Sequence, residues 1–127
     1  MQEKHLFEYA VIRVVPRVER EEFVNVGVIL YCAKQKFLKA LFITDVSRLC
    51  AFASDIDCDE LKQHFLSLER ICTGDKNGGP IAKLDMASRF RWLTATRSTV
   101  VQPSKVHPGF CVNAAETLEK LYTELVL

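Results

Sequence analysis

The sequence has no apolar run that approaches the roughly 20 residues needed to cross a bilayer as a helix, so no membrane-spanning segment is expected. It has no marked excess of either charge. Against 17 Lys and Arg stand 16 Asp and Glu, and the net charge of +1 exerts no global pull on nucleic acid or acidic lipid. Any electrostatic function must come from local clustering. There is no C-x-x-C pair, and five cysteines, an odd number, suit neither a disulfide framework nor a common zinc site. Cys32, Cys50, Cys58, Cys72 and Cys111 are therefore expected to be reduced and unligated, with no metal ion bound. Residues 1–5 lack the basic stretch and apolar core of a secretory signal, so a cytoplasmic protein is expected.

Two catalytic motifs are missing as well. Residues 73–80, T-G-D-K-N-G-G-P, hold three of the five glycines, but no Lys-Ser or Lys-Thr follows them as a phosphate-cradling loop requires. No G-x-S-x-G nucleophile elbow occurs. No cofactor is expected, and the sequence leaves open whether the chain is an enzyme.

What is present is an ordinary globular composition. The 127 residues are 49% hydrophobic and 26% charged, enough for one domain over residues 1–127 with a core of its own. Residues 7–15, F-E-Y-A-V-I-R-V-V, are β-branched and aromatic with apolar residues on both faces, which predicts a central strand covered on two sides. Pro16 ends it, and residues 17–22 form a charged connection. Residues 25–32 predict a second strand with Val26, Val28, Leu30 and Cys32 on one face and Asn25, Gly27, Ile29 and Tyr31 on the other. Gly27 inside that strand predicts a bulge or the close approach of another backbone, and Asn25 is expected to brace a neighbouring loop. Residues 33–36 close a hairpin into a third strand over 37–43, where Phe37, Leu41 and Ile43 share a face with Lys39.

Helical spacing follows. Val46, Leu49, Cys50 and Ala53 predict a short helix after a Thr44 or Asp45 cap; Leu61, Phe65, Leu68 and Cys72 predict a longer one with an acidic start at Asp57 and Glu60. Residues 73–80 read as a mobile surface loop that can be shortened at little cost. Residues 81–93 fit both periods and are read as helix. Residues 98–102 read as a strand stopped by Pro103, and His107, Pro108, Gly109 and Phe110 as a type II turn. Asn113 and Glu116 open a last helix with the stripe Ala114, Leu118, Leu121, Tyr122 and Leu125. Strands first and helices afterwards argue for an α+β fold: an antiparallel sheet of three sequential strands and a fourth late one, with helices packed on it.

Chemistry concentrates near the C-terminus. From Arg89 to His107 the chain carries Arg89, Arg91, Arg97 and Lys105 without one acidic residue, interleaved with Trp92, Ser98, Gln102 and Ser104. Guanidinium forks match phosphate or carboxylate oxygens, hydroxyls add neutral donors, and an indole can stack on a ring. The same arginines can instead lie over a helix surface and pair with residues 19–22 or Asp85. His107 carries an imidazole suited to proton transfer, with Ser104 three residues before it.

Residues 9–17, residues 21–28, the R-F-R-W-L of residues 89–93, Arg97-Ser98 and the Q-P-S-K-V-H-P-G of residues 102–109 together resemble the bacterial domain of unknown function family 3037, over nearly the whole chain. The resemblance implies no established activity. It implies a small bacterial protein often encoded beside a HipA-like kinase, and it directs attention to Glu22, Asn25, Arg89, Arg91, Arg97, Ser98, Ser104 and His107. The resulting expectation is a non-enzymatic binding module that acts with a partner protein, the HipA-like kinase being a candidate. The rival is an enzyme or sensor that binds a phosphorylated small molecule or a nucleic-acid end through an Arg/Ser/His cluster.

Overall fold

In the computed structural model, which describes residues 3–15, 23–52, 57–95 and 100–127, the chain runs through β1 (His5–Val14), β2 (Val24–Cys32), β3 (Phe37–Phe42), α1 (Ser47–Phe52), α2 (Cys58–Thr73), α3 (Met86–Leu93), β4 (Val101–Pro103), β5 (His107–Cys111) and α4 (Ala114–Leu125). The five strands form one antiparallel sheet with β1 in its interior. β2 and then β3 lie on one side of β1; on the other, β4 pairs with residues 12–14 and β5 with residues 5–9. The two-sided apolar character of β1 accounts for that central place. Ala10, Ile12 and Val14 join the core under α1, α2 and α3, while Phe7 packs with Val28, Leu30, Cys32, Ala114 and Leu118 on the α4 side. The fold is α+β, with helices on both faces of the sheet.

Two irregularities in the ladders decide where polar side chains point. Ile12 pairs with Gly27 and Arg13 with Asn25, so Val26 is an extra residue in β2. The bulge turns Val26 into the core beneath the first three helices, away from the Val28, Leu30 and Cys32 face that strict alternation predicts. It also swings Asn25 to the α4 side, where its Nδ2 donates to the Leu125 carbonyl at 3.0 Å. Asn25 thus holds the end of a helix rather than a loop. Gly27 is needed beside this bulge, because a Cβ there would stand 2.8 Å from the Leu41 carbonyl oxygen and run into the Phe42 ring.

The second irregularity lies between β4 and β5, where Ser104, Lys105 and Val106 oppose only Ala10 and Val11. The Ser104 N–H donates to the Val11 carbonyl at 2.7 Å, its hydroxyl accepts from the Val11 N–H at 2.9 Å, and the hydroxyl donates in turn to the Lys105 carbonyl. The hydroxyl stands where a strand carbonyl would otherwise be. Beyond it, the residues expected to form a type II turn continue as β5. Gly109 permits this because the Phe7 ring lies over it, 2.6 Å from where a Cβ would sit. Pro108 permits it because Val11 and Val15 direct their backbone groups toward this side of β1, so Glu8, one residue out of phase, asks no donor of its partner Pro108. The outer edge at Pro108 then has no N–H to offer a further strand.

The two longer helices start at the expected caps, Asp57 and Asn113, whereas the stretch read as helix over residues 81–93 divides into a 3-10 turn and a helix that begins only at Met86 after Asp85. Asp57 accepts from the Asp59 and Glu60 N–H groups, Asp85 from Ser88, and Asn113 from Glu116. Asp85 settles residues 86–93 as helix, and the hydrogen bond from Ser88 holds its carboxyl below the usual range. Gln35, in the β2–β3 turn, fixes the start of α4 by donating to the Val112 carbonyl and accepting from the Ala114 N–H at 2.7 and 2.9 Å.

Two expectations need correction. Residues 73–80 are not a loose loop. Gly74, at φ 72°, closes α2 with bonds from its own N–H to Ile71 and from the Asp75 N–H to Arg70, and two 3-10 turns, Lys76–Gly78 and Pro80–Lys83, follow with Ala82 buried. Nor are all five thiols free: Cys50 and Cys58 form a disulfide, while Cys32, Cys72 and Cys111 are buried and unpaired. The neighbouring ends of α1 and α2 bring the two Cα atoms to 6.0 Å, a span that sequence spacing alone does not reveal. The disulfide removes the thiol argument for a cytoplasmic location. Among the described residues, no helix is long and apolar enough to cross a membrane.

Candidate binding surfaces

The basic segment does not act as a unit. Arg89 and Arg91, two residues apart on α3, have different fates. Arg89 is buried, and its Nη1 donates to the Ile71 and Cys72 carbonyls at 2.9 and 2.8 Å. These are carbonyls of the last turn of α2, at the negative end of the helix dipole; the Ile71 oxygen also accepts from the Gly74 N–H, and the guanidinium adds a charged donor to both. Its side chain also comes to 3.0 Å from the place where a Cβ on Gly74 would be. Arg91 points outward instead and makes a bidentate pair with Glu8 of β1, at 3.0 and 3.3 Å. That pair raises the Arg91 pKa further. The counter-charge absent from the local sequence comes from 83 residues away.

His107 opens β5 opposite Tyr9, and the two rings lie 5.3 Å apart. Successive strand residues alternate faces, so Tyr9 and His107 lie on the α4 side of the sheet and Glu8 with Arg91 on the other. Arg89, Arg91 and His107 therefore do not converge. Ser104 is occupied by the β1 ladder and Asn25 by the end of α4. Arg97, Ser98 and Glu22 lie outside the described residues. Val14 does stand between Val24 and Val101, and the Val15 N–H donates to the Val100 carbonyl at 2.7 Å, so the described flanks of the charged connection and of the basic segment leave the same end of the sheet. Among the described residues, no group of three or more His, Cys, Asp or Glu side chains could hold a metal ion.

Two surfaces that sequence reading did not single out remain. The first is an apolar corner. Leu6 and Phe110 are direct cross-strand partners at the end of the sheet, 51% and 71% exposed, on the same face as Glu8 and Arg91. Because Glu8 is out of phase with the ladder on this side, so is Leu6, and such pairs bring side chains closest together. The second is a polar row on the opposite face, where Asn25, Arg13 and Gln102 stand side by side across β2, β1 and β4. The Arg13 guanidinium carbon lies 4.3 Å from the centroid of the Phe23 ring. The signal for this row was an arginine between Ile12 and Val14 in an otherwise apolar stretch. The signal for the corner was absent, since it requires the β1–β5 register.

Fold and surfaces together define a small α+β domain whose exposed features are a sheet corner and a polar row rather than an assembled catalytic cluster among the described residues. The chain belongs to the family described as "Protein of unknown function (DUF3037)", whose model matches residues 9–126. No curated protein and no solved structure matches the chain.

Proposed function

We propose that the protein is a non-enzymatic binding module that docks a partner protein on the corner formed by Leu6 and Phe110. The observation that carries this reading is the exposure of two large apolar side chains in direct contact register at an edge of the sheet. A solvated phenylalanine beside a leucine is what an interface anchor requires, and the Glu8–Arg91 pair supplies the polar rim around it. Pro108 makes side-chain docking the favoured mode, because it denies an incoming strand a hydrogen-bond donor. The partner implied by the family resemblance is the HipA-like kinase. The rival reading, a phosphorylated ligand held by an Arg/Ser/His cluster, has less support, since Arg89, Arg91 and His107 are held apart.

Hydrogen exchange tests the proposal. The Phe110 N–H faces outward from the edge strand and should exchange rapidly in the free protein. Adding the purified HipA-like kinase is expected to slow exchange at Phe110 and Leu6. Absence of binding, or protection elsewhere with Phe110 unchanged, would reject this reading.

A further inference from the structure

The Cys50–Cys58 disulfide joins two helices of unequal strength. α2 is 16 residues long, is capped by Asp57 at its start and is closed by Gly74 at its end. α1 has six residues, with no acidic side chain in its first turn and no basic one in its last to offset the helix dipole. A helix that short does not persist alone in water, so α1 depends on what fastens it. Its start is held by Asp45, whose carboxylate accepts from the Ser47 N–H and hydroxyl at 2.9 and 2.6 Å, and Val46 and Leu49 reach into the core. Its second half is tied by the disulfide to Cys58, the first residue of α2 and only eight positions further along the chain. The bond is also the reachable part of the cysteine set: Cys50 and Cys58 are half-buried, whereas Cys32, Cys72 and Cys111 are buried.

We propose that the Cys50–Cys58 bond is a redox latch on α1, which a dithiol reductant opens while α2 and the sheet keep their structure. One thiolate of the dithiol attacks a sulfur of the pair, the S–S bond breaks, and a mixed disulfide forms; the second thiolate then displaces the protein sulfur. Cys50 and Cys58 gain two electrons and two protons, and the dithiol leaves as its own disulfide. Reduction restores chain freedom to the short loop between the two cysteines and leaves α1 held only by Asp45 and by Val46 and Leu49, whose apolar side chains an opening of α1 uncovers. α2 retains both caps and its buried stripe of Leu61, Phe65, Leu68 and Cys72, so it does not follow. Leu6 and Phe110 take no part, and the latch stands or falls independently of partner docking.

The full chain, equilibrated in air and then treated with dithiothreitol without denaturant, tests this. Iodoacetamide is expected to add nothing before reduction and two groups after it, on Cys50 and Cys58. Hydrogen exchange at the Cys50 N–H, which donates to the Val46 carbonyl at 3.0 Å, should accelerate about tenfold or more on reduction. Exchange at Phe65 and Leu68 in α2, and at the Val11 N–H bonded to the Ser104 hydroxyl, should stay as it was. The Cys50→Ser and Cys58→Ser double variant should exchange like the reduced protein with and without dithiothreitol. Free Cys50 and Cys58 in the air-equilibrated chain, labelling of all five thiols together, an unchanged Cys50 rate, or equal acceleration at Phe65 and Val11 would each overturn the proposal. The oxidised and reduced forms of the parent chain decide it even if the double variant fails to fold.

Discussion

The two faces of the sheet are covered unequally. Under α1, α2 and α3 the core extends across β1, β2 and β3, and Leu6 and Phe110 stand exposed at one end of it. On the other face α4 packs over β2 and β3, its cluster takes in Phe7 and Tyr9 of β1, and its end meets Asn25 beside Arg13. The first face holds the larger buried cluster and leaves an apolar corner. The second carries the polar row of Asn25, Arg13 and Gln102, so the candidate surfaces are set by strand register rather than by where basic residues are densest in the sequence.

Truncating the central side chain of each core should separate the two faces most strongly. Phe90, fully buried and 5.3 Å from the Tyr31 ring, should cost about 4 kcal/mol as Phe90→Ala, and Leu118→Ala under α4 about 3 kcal/mol, both read from denaturant midpoints. Equal or reversed costs would break the comparison. Excising residues 74–79 behind a short linker comes next. It removes the Gly74 cap of α2, beside which the Arg89 side chain lies, and a loss of about 2 kcal/mol or more is expected in thermal melting.

The two α3 arginines sharpen the same contrast. Arg89→Met removes a charged donor from two carbonyls of the last turn of α2 in a buried setting, the Ile71 oxygen keeping its bond from the Gly74 N–H, and should cost about 2 kcal/mol. Arg91→Met breaks an exposed pair, with the arginine side chain 61% exposed, and should cost less than about 0.5 kcal/mol. A smaller effect belongs to Cys72. Burial pushes its thiol from 9.0 up to about 12, so the folded protein keeps a proton that the unfolded chain gives up. Its contribution is complete below the unfolded value and is lost as pH rises toward the folded one. Denaturation at about pH 8 and about pH 10 should therefore show a steeper alkaline loss in the native sequence than in Cys72→Ala.

Much of the architecture was legible because local rules and tertiary packing agree. The β1 pattern, the Asp57 and Asn113 caps and the apolar stripes of α2 and α4 each named their element. The departures are nonlocal. Val26 changes face through a bulge that only the β1 register defines, and β5 reads as a turn because Pro108 and Gly109 favour one until Phe7 lies over the glycine. The candidate site was less legible for the same reason. Arg91, Ser104 and Asn25 find their partners 83, 93 and 100 residues away, beyond any local sequence pattern, and Arg89 finds its own on a different helix.

The docking corner admits the most direct test. The Leu6→Ser and Phe110→Ser double variant removes two exposed side chains without opening the core, so its melting temperature should stay within about 5 °C of the parent. Calorimetric titration with the HipA-like kinase should then show binding by the parent and by Arg91→Met, with a loss of at least about tenfold in the double variant. A folded double variant that binds the kinase as tightly as the parent would contradict the docking proposal.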